Sequence, residues 1–126
     1  MAVPVLGTYL SADNHFKIQI TNANPSNGQI DGVYATNESP QGPFTSQGTV
    51  GHYAWVANQQ GQSGQAPFCI NFTGSVRPNG FPYCIIDMWN GAYQTDNTML
   101  LAGTRAYVNN QGQVQVVSLG TQKFAL

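Results

Sequence analysis

Charge is scarce in this chain: only 7% of its 126 residues are charged, four basic against five acidic. Lys17, Arg77, Arg105 and Lys123 stand singly. A nucleic-acid-binding surface needs clustered Lys and Arg to neutralise phosphates, so no nucleic acid partner is expected. The same scarcity gives an anionic membrane nothing to attract. No apolar run approaches the roughly 18 residues that span a bilayer as a helix, and helical periodicity is missing throughout. Histidine is limited to His15 and His52, far apart and without ligand-spaced partners, so no metal site is expected. Ser11, Ser118, His52 and Asp87 are residue types from which a triad is built, but there is no nucleophile elbow and no titratable cluster. The chain is therefore not expected to be an enzyme.

The opening Met1-Ala2-Val3-Pro4-Val5-Leu6 has neither a basic stretch nor a long apolar one, so it is not itself a signal peptide. Low charge and a single cysteine pair lean toward a secreted or periplasmic location, a cytoplasmic one being the alternative. Asn37-Glu38-Ser39 and Asn71-Phe72-Thr73 have the form of glycosylation sequons, which matter only in a glycosylating host.

What the chain does have is alternation. By length it is expected to form one domain, residues 1–126, wetted by Asn, Gln, Ser, Thr and Gly instead of charge. Apolar and polar residues alternate in Phe16-Lys17-Ile18-Gln19-Ile20, in Ile30 to Thr36 and in Val114 to Leu119, with turn residues between. That is the pattern of antiparallel strands. Asn27-Gly28 and Asn109-Asn110-Gln111-Gly112 supply hairpin chemistry, because Asn and Gly accept positive φ. Eight strands are predicted, at about 5–11, 14–21, 30–37, 47–56, 66–73, 83–93, 97–108 and 113–125. An even set of up-and-down strands closes most simply into an eight-stranded antiparallel β-barrel, which removes exposed edges. Phe16, Ile18, Ile20, Tyr34, Trp55, Phe68, Ile70, Phe72, Trp89 and Phe124 are predicted to point inward. Alternation also puts Cys69 and Cys84 on the outer face of neighbouring strands, so a Cys69–Cys84 disulfide is expected, two reduced thiols being the alternative.

Six short segments carry a resemblance. Gly7-Thr8-Tyr9 resembles the Gly-Thr-Trp opening of avidins. Gly32-Val33-Tyr34-Ala35-Thr36 resembles their Gly-Thr-Tyr-x-Ser/Thr strand. Gly51-His52-Tyr53-Ala54-Trp55 resembles the strand in which they carry a Gly followed by an Ala-Trp pair. Trp89-Asn90-Gly91-Ala92-Tyr93 resembles Trp-Ser-Gly-Gln-Tyr, Thr98-Met99-Leu100-Leu101 stands where they have Thr-x-Trp-Leu-Leu, and Leu119 to Phe124 resembles Val-Gly-x-Asp/Asn-x-Phe. The order and spacing match across most of the chain, so the sequence resembles the avidin and streptavidin family.

The resemblance implies a biotin pocket in one end of the barrel. Ser11, Asn14 and Tyr34 stand where the family donates to the ureido oxygen. Thr36 and Gln122 stand where it accepts from the ureido nitrogens. Trp55, Phe72, Trp89 and Met99 stand for its aromatic box. Asp87 replaces a threonine near the ligand's sulfur, and a carboxylate facing an apolar pocket is costly unless it is paired. Asp87→Thr would therefore restore the family's chemistry. No tryptophan matches the lid that a neighbouring subunit lends. The expectation is a non-catalytic binder of biotin or a related small molecule with weak affinity and no other cofactor. The alternative is a carbohydrate-binding, lectin-like module, for which an uncharged Asn-, Gln- and Tyr-rich surface is suited. Met99 to Val108 and Val114 to Leu119 are more apolar than one buried face requires, so a homodimer or homotetramer is expected.

Overall fold

The computed structural model describes residues 3–40, 42–46, 48–56 and 67–126. Its strands are β1 (Gly7–Ser11), β2 (Phe16–Ala23), β3 (Gln29–Thr36), β4 (Phe44–Thr45), β5 (Thr49–Ala54), β6 (Phe68–Val76), β7 (Tyr83–Tyr93), β8 (Met99–Asn109) and β9 (Val114–Ala125). The hydrogen-bonded order is β2-β1-β9-β8-β7-β6-β5-β3-β4, and a further β2–β3 pairing closes the ring. Eight antiparallel strands thus make an up-and-down barrel, as the alternation predicts. The short β4 is an addition paired to the end of β3. Two predicted strand starts, at 47 and 66, fall outside the described residues.

Period-two alternation is realised almost residue by residue. β2 reads buried at Phe16, Ile18 and Ile20 and exposed at Lys17 and Gln19, so a one-residue slip would turn the whole set into water. Tyr34, Phe68, Ile70, Phe72, Trp89 and Phe124 are buried as well, and with Tyr9, Tyr53, Tyr93, Met99 and Leu101 they fill the barrel. Trp55 packs against this core from its rim. It lies one residue beyond β5, half-buried, its ring tilted against Tyr53 at 5.3 Å. Alternation alone does not show that the strand has already ended.

The cysteines correct one expectation. Both are exposed and free, on the outer face as the alternation predicts, but the register separates them. Cys69 is opposite Ala92, whereas Cys84 lies beyond the Val76–Ile85 pair that ends the β6–β7 ladder. Ala92 and Cys84 are eight residues apart along β7, about 26 Å at strand rise. A disulfide needs Cα atoms within about 7 Å, so no intrachain bridge forms.

Two glycines at inward positions decide what the interior holds. A Cβ on Gly74 of β6 would stand 2.3 Å from the Tyr34 ring, and one on Gly103 of β8 would stand 2.6 Å from the Trp89 ring. Each glycine therefore lets a large ring lie across its strand. Trp89 is further held edge-on between Phe16, at 4.9 Å, and Phe124, at 5.1 Å, and has no room to retreat. We expect Gly103→Ala to destabilise the barrel by about 1–3 kcal/mol through overpacking. Gly48→Ala, where nothing lies within 4 Å, should change stability by less than about 0.5 kcal/mol. Urea unfolding of both variants checks this, and equal midpoints would contradict it.

Candidate functional site

The turns β1–β2, β3–β4, β6–β7 and β8–β9 gather at one end of the barrel. There a cavity of about 730 Å³ opens between the 38–40 loop, Ile85 of β7, Arg105 and Tyr107 of β8 and residues 113–115 at the start of β9. Its origin lies in β9. The β8–β9 register skips Leu119 between Gly103↔Gly120 and Thr104↔Ser118, and Gly120 has φ 75°, the geometry of a glycine bulge. Before the bulge, residues 114–118 are all exposed. β9 meets β1 only through Leu10↔Ala125 and Ser11↔Phe124, so the wall is open on that side.

A buried ion pair forms the inner wall. Asp87 is fully buried, and Arg105 beside it is 13% exposed in its side chain. Arg105 donates from Nε to Asp87 Oδ1 at 2.7 Å and from Nη2 to Oδ2 at 2.8 Å, a two-pronged contact that matches the guanidinium fork to the carboxylate. Tyr34, reaching from β3 across Gly74, donates its hydroxyl to Asp87 Oδ2 at 2.6 Å. Nη1 of Arg105 donates to the Glu38 carbonyl and ties the 38–40 loop to the barrel.

The electrostatics follow from this arrangement. Burial first, and then the Asp87 charge, push the Tyr34 phenol well above its ordinary range. The Trp89 indole N–H lies near enough to work slightly against this without reaching hydrogen-bond geometry. For Arg105, burial disfavours the charged form, but the hydrogen bonds and charge of Asp87 outweigh it, and the net shift is upward.

The residues that the sequence nominates for the pocket are divided. Tyr34, Asp87, Trp89 and Phe72 are brought together inside the barrel, and Met99 is buried beyond them against Phe124. Ser11 and Thr36 are buried at this same end, yet their hydroxyls are used locally. Ser11 Oγ donates to Asp13 Oδ1 at 2.7 Å and accepts from Phe16 N at 3.1 Å, while Thr36 Oγ1 accepts from Glu38 N at 3.0 Å. Asn14 is exposed in the β1–β2 turn at φ 61°, so it faces water instead of the interior. Gln122 is half-exposed, with Nε2 directed at the Leu119 carbonyl at 3.4 Å. Trp55 belongs to the opposite end. Arg105 is absent from the nominated set, although β8 alternation from Met99 and Leu101 places it on the inward face.

Asp87→Thr reads differently once Arg105 is seen. The carboxylate is paired, and its removal alone would leave a buried guanidinium without its counter-ion, which typically costs about 3–5 kcal/mol. Replacing it sensibly means replacing Arg105 too.

Neither family models nor curated protein sequences match the chain. Among solved structures, the crystal structure of core-bradavidin superposes with a TM-score of 0.60 over 96% of this chain and 98% of that one, at 21% identity. The fold is thus that of an avidin-like β-barrel.

A pH dependence follows from the buried phenols. Tyr9 is fully buried, and its hydroxyl is raised by burial and then by the hydrogen bond to Tyr93, 2.8 Å away. Below about pH 10 Tyr9 and Tyr34 are protonated whether the chain is folded or not, and stability is unaffected. Above it the unfolded chain ionises them and the folded one does not. Stability should therefore hold to about pH 9 and then fall, by up to about 1.4 kcal/mol per pH unit for each tyrosine. Denaturant unfolding at pH 8 and pH 11 measures this, and equal stability at the two would contradict it.

Proposed function

We propose that the protein is a non-catalytic small-ligand binder that takes its ligand in the cavity at the turn-rich end of the barrel. Biotin or a related polar molecule is the first candidate, held at micromolar affinity or weaker. The observation that carries this is the cavity itself. At about 730 Å³ it falls within the 300–1,000 Å³ usual for small-molecule sites, and it stands over an arginine fixed in place before any ligand arrives. The avidin-like fold supports a binder of this type in general, whereas nothing in it favours the carbohydrate-binding alternative.

Weak affinity for biotin follows from what occupies the floor. The hydroxyls that would donate to a ureido oxygen are spent, Tyr34 on Asp87 and Ser11 on Asp13, and the Thr36 oxygen already accepts from Glu38 N. Phe16, Trp89 and Phe124 fill the volume beside them. A ligand is left the outer part of the site, with less of its surface covered.

Self-association is part of the same reading. The register aligns Ile86, Ala106 and Val116 in one row of the outer face and Cys84, Val108 and Val114 in the next. Ile86, Val108, Val114 and Val116 are exposed in the single chain. A continuous apolar strip of this kind marks an association surface, and a homodimer or homotetramer would cover it.

Calorimetry with biotin should give a dissociation constant in the micromolar range or above, and light scattering at micromolar protein should give a mass of at least two chains. Nanomolar biotin binding would contradict the filled floor. The absence of any heat, with no perturbation of residues around the cavity, would contradict the ligand site. A monomer would remove the assembly.

A further inference from the structure

Resting on the ligand site proposed above, we infer that Arg105 sets the specificity of the cavity: it selects a ligand that presents an uncharged carbonyl oxygen, of an amide or ureido group, to the guanidinium beside an apolar or aromatic face, and it disfavours a carboxylate presented at that point. A guanidinium carries five N–H donors, and three of these are engaged, two by Asp87 and one by the Glu38 carbonyl. The two that remain are on Nη1 and Nη2, and Arg105 lines the cavity. The group is planar and clamped along its Nε–Nη2 edge, so those donors are held in fixed directions and lose little freedom on meeting an acceptor.

The surrounding charge decides which acceptor. Asp87 already neutralises Arg105, and the Glu38 side chain, 46% exposed and lying with Oε1 2.5 Å from His15 Nδ1, adds a second carboxylate at the rim that His15 offsets only when its ring is protonated. A carboxylate ligand would thus be a third negative group around one cation, whereas a carbonyl accepts the same hydrogen bonds without that repulsion. The remaining walls agree with this choice. Ile85 and the Tyr107 ring give an apolar side, and Gln113 and Gln115 offer uncharged amides. The Tyr107 ring is itself stacked on Tyr83 at 5.7 Å, so its position is set before binding.

Benzamide and benzoate form a suitable pair, since they share a shape and differ in charge. In titrations followed by nuclear magnetic resonance, benzamide should shift the Arg105 Nε–H and the Ile85 and Tyr107 amides along a saturating curve, and benzoate should bind at least tenfold more weakly. Arg105→Lys, which keeps the charge beside Asp87 but loses the fork, should weaken benzamide at least tenfold. Should that variant fold poorly, Glu38→Gln serves instead. It removes the rim charge and should narrow the preference for benzamide several-fold. Benzoate binding as tightly as benzamide, a benzamide affinity unmoved by Arg105→Lys, or a preference unmoved by Glu38→Gln would each overturn the inference. If neither benzamide nor benzoate binds while biotin shifts the same amides, the inference falls and the ligand site stands. If no compound shifts them, both fall.

Discussion

A carboxylate placed inside a barrel of apolar side chains must find a cation, and the interior of this protein is arranged around that requirement. Asp87 sits on an inward position of β7, and it is held by Arg105 from β8 and Tyr34 from β3. Each partner brings a condition of its own. Tyr34 can reach Asp87 because position 74, between them, carries no side chain. Arg105 lines the cavity opposite the part of β9 that precedes the glycine bulge at Gly120, where residues 114–118 are all exposed. The 38–40 loop is tied to the same guanidinium through the Glu38 carbonyl. Breaking the pair would therefore disturb a strand crossing, a cavity wall and a loop together.

The same arrangement moves the candidate site outward. Three aromatic rings, Phe16, Trp89 and Phe124, close the barrel just inside the ion pair, and the inner hydroxyls are committed to protein partners. What remains open is the region between the 38–40 loop and the hairpin of β8 and β9. A ligand held there as proposed would meet Arg105 and Tyr107 in place of the serine, tyrosine and aspartate or asparagine set of the avidin pattern.

Much of this was legible in the sequence. Alternation in Phe16 to Ile20, the turn chemistry at Asn27-Gly28 and the six avidin-like segments carried the barrel, since each reports a local property that the fold then repeats. The long-range features were harder to read. Asp87 was visible as an inward carboxylate, but its partner is 18 residues away on another strand, and only following the β8 alternation past Gly103 would have nominated Arg105. The separation of Cys69 and Cys84 depends on which residues face each other across the β6–β7 hairpin, a matter of register that side-chain alternation leaves open. Trp55 packs at the rim of the core, not within it, because its strand stops one residue short of it.

The central claim is that Asp87 and Arg105 act as one buried unit. A double-mutant cycle measures that directly, using Asp87→Asn, Arg105→Gln and the two combined, with unfolding free energies from urea titration. Each single change leaves a buried charge without its partner and is expected to cost about 3–5 kcal/mol. The combined change removes both charges and should cost less than the sum by about 2 kcal/mol or more. Additive losses, or single variants as stable as the parent chain, would contradict the account.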